Sequence, residues 1–223
     1  MSLFNLAVLI SGSGTNLQAV LDAVSSGVIP NAGVAAVISS RPGAFGLERA
    51  EKLNIPNMVI GKDETARLLE TLESYNINGI VLAGYLSILP PEVIEAYSGR
   101  IVNIHPALLP MFGGKGFYGI RVHQAVLASG VRFSGATAHL VDSGIDTGAA
   151  LVRGTVRVLD GDTAEDLQKR VLKIEHEVLV HAVKALVENR VEELAAKPAL
   201  YVNEKDRDDL LEFAKELTAL GET

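Results

Sequence analysis

Asn103 and His105 stand two residues apart in Asn103-Ile104-His105-Pro106, directly after the apolar pair Ile101-Val102. Side chains on a strand repeat every two residues, so a strand here points the amide and the imidazole the same way. Pro106 has no N–H for a further ladder bond and turns the chain outward. An amide N–H can donate to a developing oxyanion. An imidazole changes charge near neutrality and can be held in either state by its neighbours. Together they suit acyl-group chemistry at a strand's carboxyl end, which is where open α/β sheets bind ligands. Taken singly, a core histidine with a satisfied hydrogen bond and a turn-forming asparagine are the plainer readings.

Two further segments carry chemistry. Ser11-Gly12-Ser13-Gly14-Thr15-Asn16-Leu17 lies between an apolar run and a helical pattern. Glycines let the backbone approach an anion, and a helix start supplies unpaired N–H groups. The segment lacks the third glycine of a dinucleotide fingerprint and the lysine of a P-loop, so a sugar phosphate fits better than a dinucleotide. A tight turn with an asparagine cap is the alternative. Asp142-Ser143-Gly144-Ile145-Asp146-Thr147-Gly148 places two carboxylates in a glycine-bearing loop, without EF-hand spacing. One such carboxylate beside a histidine would orient it and raise its pKa; an Asx turn is the alternative for Asp142.

The other histidines, His123, His139, His176 and His181, show no metal-ligand spacing, and no metal is expected. His181 reads as a packing residue of a long helix. Glu175-His176 flanks the same stripe and reads as a solvated edge or a group reaching a cleft. Ser13 lacks the first glycine of a nucleophile elbow, which rejects a serine hydrolase.

These residues need a frame. Strand-like runs at Leu6 to Ile10, Val34 to Ile38, Met58 to Ile60, Ile80 to Ala83 and Ile101 to Ile104 alternate with helical patterns. The helices are expected at Asn16 to Val24, Ala44 to Leu53, Glu64 to Tyr75 and Pro90 to Tyr97. The alternation implies βαβ units: an α/β fold with an open, mostly parallel, Rossmann-like twisted sheet and helices on both faces. After Pro106 comes a glycine-rich loop, Met111 to Gly119. Gly135 to Val141 and Ala149 to Val158 read as further strands. Thr163, with Asp166 three residues on, opens a helix whose stripe is Leu167, Val171, Ile174 and Val178. A C-terminal helical tail is expected through Leu210, Leu211, Ala214 and Leu217. Residues 1–190 read as one domain, and 191–223 as an extension packed on it or partly mobile.

Composition narrows the partners. With 48% hydrophobic and 21% charged residues, the 223-residue chain has ample material for a core. Cysteine is absent, which excludes disulfides, thiolate metal sites and cysteine nucleophiles and fits a cytoplasmic location. The net charge of −7 gives no footprint for nucleic acid. No apolar run of about 18 residues appears, so no membrane span is expected. Small-molecule substrates remain.

The motifs Ser11 to Leu17, Val81-Leu82-Ala83-Gly84-Tyr85, Asn103 to Pro110 and Asp142 to Gly148, in this order, resemble the folate-dependent formyltransferases. The likeness covers about residues 3 to 190. The opening glycine loop favours the members that formylate glycinamide ribonucleotide in purine biosynthesis. The resemblance implies a formyltransferase-like fold and 10-formyltetrahydrofolate as cosubstrate. Its amine acceptor attacks the formyl carbon directly. The resemblance further implies that Asn103 and a protonated His105 stabilise the oxyanion, and that Asp146 raises the His105 pKa and assists proton transfer. It also implies that Leu86, Ser87, Ile88 and Leu89 line the pterin pocket with Val141, Asp142, Ser143, Gly144, Ile145 and Asp146. Gly14, Thr15 and Asn16 match a phosphate-binding turn, Glu175 a substrate-side carboxylate and His139 a further active-site histidine. Ser87 stands where many members have arginine. Lys62 and Arg67 are candidates for a folate-side cation, and Lys115 for a phosphate contact.

The nearest rivals are a 10-formyltetrahydrofolate hydrolase and transfer to another amine. A hydrolase usually carries an additional N-terminal regulatory domain, and only two residues precede Leu3. A transferase acting on transfer RNA would need a nucleic-acid-binding domain that the acidic tail is too short to form. A non-catalytic sugar-phosphate or folate binding protein would not require the trio Asn103, His105 and Asp146.

Overall fold

The computed structural model describes residues 3–202 and, beyond them, 207, 208, 210–212 and 215. Its centre is an eight-stranded sheet in the order β3-β2-β1-β4-β5-β6-β7-β8. β1 (Phe4–Ile10), β2 (Ala32–Ser39), β3 (Asn57–Val59), β4 (Gly79–Leu82) and β5 (Ile101–His105) are parallel. β6 (Phe133–Leu140) runs against both neighbours, and β7 (Ala150–Arg157) and β8 (Ala199–Val202) restore the first direction. The sheet is mostly parallel, as the alternation of elements implied.

Continuous apolar runs make the central strands. Leu6, Ala7, Val8, Leu9 and Ile10 have no exposed surface, because helices cover both faces of β1. On one face Val8, Val81, Val102 and Ala138 pack against α1 (Thr15–Ser25) and the long α6 (Ala164–Val187). On the other, Leu9, Ile80, Leu82 and Ile101 pack against α3 (Thr65–Ser74) and α4 (Pro91–Ala96). α2 (Gly46–Lys52) lies beside α1 and β2. α6 opens at Thr163 as expected, in a capping box: the Thr163 hydroxyl accepts the Asp166 N–H at 3.1 Å, while the Asp166 carboxylate accepts the Thr163 N–H. The predicted stripe of α6 is buried.

Three elements lay outside the expectation. α5 (Ile120–Ser129) buries Val122, His123 and Val126, so its apolar face is narrow and bracketed by glycines at 119 and 130. α7 (Val191–Ala196) buries none of its residues, and β8 after it pairs with β7. His181, expected as a core or packing residue, is exposed, with its ring 5.8 Å from Tyr201 of β8. The tail helix is helical at residues 207, 208, 210–212 and 215, whereas Ala214 and Leu217 lie outside the described residues.

The strand order places the site. From β1 the chain moves outward to β2 and β3, then returns to β4 on the other side of β1. The loops after β1 and β4 therefore diverge and leave a crevice at their carboxyl ends. Among the described residues, no helix is long and apolar enough to cross a membrane.

Candidate active site

The crevice is a cleft of about 1310 Å³. Its floor is the pair β5–β6. Antiparallel register sets Asn103 directly opposite His139, and His105 opposite Thr137. Asn103 and His105 share a face, as their spacing predicted, and His139 joins them. The pairing of β6 with β7 shifts between Ala138 and His139, a bulge of the kind that re-aims a side chain. His139 Nδ1 donates to the Leu140 carbonyl at 2.8 Å, since a carbonyl can only accept. In the neutral ring Nε2 then accepts the Asn103 amide N–H at 3.0 Å. Thr137, fully buried, receives the Leu109 N–H and donates to the Ala107 carbonyl, which fixes the turn after His105.

The Asp142 to Gly148 loop folds back over this floor. Asp146 adopts a left-handed conformation, φ 59°, and reaches both imidazoles. Its Oδ2 lies 3.5 Å from His105 Nδ1 and its Oδ1 lies 3.6 Å from His139 Nε2. Burial works to raise the Asp146 pKa. The facing His139 and His105 rings and the Gly114 N–H outweigh it, so the carboxyl stays below its usual range. Asp142 is spent locally: its Oδ1 accepts the Gly144 N–H and the Thr147 hydroxyl, an Asx turn.

His105 differs from its expected state. Burial pushes its pKa down, and this exceeds the upward pull of Asp146 and of the Phe112 carbonyl. A protonated His105 was expected because a carboxylate partner was foreseen; the cost of desolvating the cation was not. The ring is 5% exposed, and its Nε2 donates to the Phe112 carbonyl at 2.8 Å.

The opposite wall is the β1–α1 turn. Gly14 is the left-handed residue before α1, φ 71°, and a Cβ there would sit 2.6 Å from the Gly46 Cα. This close approach requires glycine and leaves the first N–H groups of α1 free at the cleft. Thr15 and Asn16 belong to the helix, so Asn16 is not its cap. Asn16 Nδ2 instead donates to Glu175 Oε2 at 2.8 Å, and Asn16 Oδ1 is buried without a partner. Glu175, on α6, is also buried, which pushes its carboxyl up against the pull of that amide. Four positions named from sequence, Gly14, Thr15, Asn16 and Glu175, thus line one end of the cleft.

The β4–α4 loop forms the remaining side. Leu86, Ser87, Ile88 and Leu89 line the cleft with Val141 to Asp146. Ile88 is 74% exposed and Leu86 51%, an unusual apolar rim for a loop. The Ser11 hydroxyl accepts the Leu86 N–H at 2.9 Å and ties the two loops together. Lys115 lines the cleft, whereas Lys62 and Arg67 do not; Arg67 pairs with Glu64 at 2.7 Å on the outer surface. Arg41, in the β2–α2 connection, lines the cleft in their stead, and so does His123 of α5. Arg41 carries no sequence signal beyond following a strand. His123 was legible only as an isolated histidine, because the helix that carries it was not foreseen. Its burial, together with the nearby His105, holds its pKa down to about 4. Among the described residues no group of histidines and carboxylates could hold a metal ion.

Residues 4–183 match the family model described as formyl transferase. The chain is 40% identical to the chloroplastic phosphoribosylglycinamide formyltransferase of Arabidopsis thaliana over 92% of its own length and 72% of that protein's. It is also 40% identical to a trifunctional purine biosynthetic protein of Drosophila melanogaster, covering 81% of this chain and 14% of that protein. A crystal structure of glycinamide ribonucleotide transformylase 1 from Symbiobacterium toebii superposes with a TM-score of 0.79 at 38% identity, over 84% of this chain and 89% of that one. A cleft floored by an asparagine, two histidines and a carboxylate, within a match of this extent, makes this chain a member of the formyl transferase family.

Proposed function

We propose that the chain transfers the formyl group of 10-formyltetrahydrofolate to the glycine amine of 5′-phosphoribosylglycinamide, a step of purine biosynthesis. The observation that carries this is the convergence of Asn103, His105, His139 and Asp146 on the cleft floor, with a helix N-terminus and Glu175 at one end. The amine nitrogen attacks the formyl carbon, and the carbonyl oxygen takes the charge. Asn103 and His105 N–H donors stabilise that oxyanion. A neutral imidazole donor suffices, in keeping with the lowered pKa of His105. When the intermediate collapses, the carbon–N10 bond breaks. The proton lost by the amine passes by way of the Asp146 carboxylate to N10 of the folate.

The phosphate sits on the free N–H groups after Gly14, with Thr15 and Asn16 beside it and Glu175 on the ribose. The pterin enters between Leu86 to Leu89 and Val141 to Asp146. Residues 1–190 supply all of these groups as one domain, to which 191–223 is an extension. The lack of cysteine supports a cytoplasmic setting.

The test is an assay with 10-formyltetrahydrofolate, with and without 5′-phosphoribosylglycinamide. Tetrahydrofolate should appear only with the acceptor. Equal release without it would replace transfer by hydrolysis, and binding without turnover would leave a binding protein.

A further inference from the structure

Arg49 stands on α2, outside the cleft, yet it grips the turn at the cleft's phosphate end. Its Nε donates to the Ser13 carbonyl at 2.9 Å, and its Nη1 donates to Gln18 Oε1 at 3.1 Å. At the start of α2, the Gly46 N–H donates to the Gly12 carbonyl at 3.0 Å. Two consecutive carbonyls of the β1–α1 turn are therefore held by α2. These peptide bonds are trans. A trans peptide is planar, so each N–H points opposite to the carbonyl of its own unit. With the Gly12 and Ser13 carbonyls turned to α2, the Ser13 and Gly14 N–H groups turn away from it. Ser13 and Gly14 line the cleft, whereas α2 lies outside it. We infer that Arg49 is a positioning residue for the acceptor's phosphate, which locks the Ser13–Gly14 peptide with its N–H facing into the cleft. This rests on the formyl-transfer reading for the identity of the phosphate ester that binds there.

The turn needs such a lock. Gly12 and Gly14 flank Ser13, and glycine leaves the backbone its widest freedom. A flipped Ser13–Gly14 peptide would present a carbonyl oxygen to the anion in place of an N–H. The orientation of this one unit thus decides between repulsion and attraction. The partly buried Arg49 side chain is itself fixed on several sides. Its Cδ packs against Gly14, 3.3 Å from where a Cβ would stand, and its guanidinium lies 5.4 Å from the centre of the Phe45 ring. Its second anchor, Gln18, belongs to the first turn of α1, and the Gln18 N–H donates to the Gly14 carbonyl at 2.9 Å. One side chain therefore joins α2, the turn and the start of α1. The guanidinium also adds a positive charge behind the positive end of α1. A second observation marks this end of the cleft as a ligand position. Asn16 is 7% exposed and lines the cleft, and its Oδ1 has no partner, an acceptor suited to a sugar hydroxyl.

Arg49→Met tests this in the whole chain, because it keeps an apolar stem against the turn and removes the N–H donors. Inorganic phosphate and 5′-phosphoribosylglycinamide are titrated separately and followed by nuclear magnetic resonance. In the wild-type protein the Gly14 amide should shift in both titrations. The Arg49 Nε–H should stay where it is, since it remains on the Ser13 carbonyl. In Arg49→Met the Gly14 amide should be displaced before any ligand is added, and Kd for both phosphate compounds should rise about tenfold. Affinity for a non-transferring 10-formyl folate analogue should change by less than about twofold. Gln18→Ala removes only the second anchor, and should weaken phosphate binding by about two- to fivefold. Phosphate affinity left at the wild-type level in Arg49→Met overturns the inference. So does an equal loss of affinity for the folate analogue, the mark of general structural damage. A shift of the Arg49 Nε–H on adding phosphate would make Arg49 a direct ligand and overturns it as well. If the wild-type protein binds both substrates but transfers no formyl group, the functional reading fails instead, and the phosphate titrations still decide the role of Arg49.

Discussion

At the scale of single residues, the site rests on a few contacts with unequal sequence signals. Asn103 and His105 were legible because strand periodicity puts them on one face. The charge state of His105 was not, because it depends on how deeply the ring is buried. The Phe112 carbonyl was invisible for a simpler reason: a backbone acceptor leaves no mark in residue type. If His105 and Asn103 share the oxyanion, His105→Ala and Asn103→Ala should each lower kcat at least about 100-fold, with KM for either substrate moving much less. Asp146→Asn should cost a similar factor, since the amide cannot carry the transferred proton. Steady-state kinetics on the three variants reads this, and near-wild-type turnover of His105→Ala would remove its assigned role.

At the scale of elements, α6 was foreseen with its cap and stripe and the β1–α1 turn with its glycines, whereas α5 was not. Its apolar face is short, and its partner is α6 rather than a strand it follows. The element nonetheless carries a stability signature. His123 is 1% exposed and has its pKa pushed down to about 4. The folded state therefore binds fewer protons than the unfolded chain, whose histidine titrates near about 6.5. Stability is lost as pH falls from about 6.5 toward about 4, by up to roughly 3 kcal/mol from this residue. Urea unfolding across that range should show the slope, and His123→Leu should flatten it. A separate element prediction concerns the α6 cap. Thr163→Ala should destabilise the fold by about 1 kcal/mol, read as a lower urea midpoint with an unchanged m-value.

At the scale of the molecule, the alternation of strands and helices disclosed the open, mostly parallel sheet, whereas the β1/β4 crevice emerged only with the strand order. The reversal of β6 became legible only as a hairpin-like connection through Asp142 to Gly148, and β8 escaped because four residues after a proline give too little pattern. The cleft joins loops from most of the strands, so a ligand filling it favours the folded state over the unfolded. With each substrate at about 100 times its Kd, the linkage contributes about 2.7 kcal/mol. For a chain of this length that raises Tm by roughly 5–10 °C. Differential scanning fluorimetry with 5′-phosphoribosylglycinamide alone should show the rise, and Gly14→Ala, which forces the phosphate turn away from Gly46, should abolish most of it.

The order of strands has one more consequence. Asn103, His105, His139 and Asp146 all come from the consecutive stretch β5–β6–β7, whereas Asn16 and Glu175 come from α1 and α6. In the proposed mechanism, the groups that make the bond and those that recognise the acceptor are thus encoded in separate blocks of sequence. Exchanging the β1–α1 turn and the exposed half-turns of α6 could redirect such a scaffold to a different amine. The formyl-handling block would pass through that change as an intact cassette.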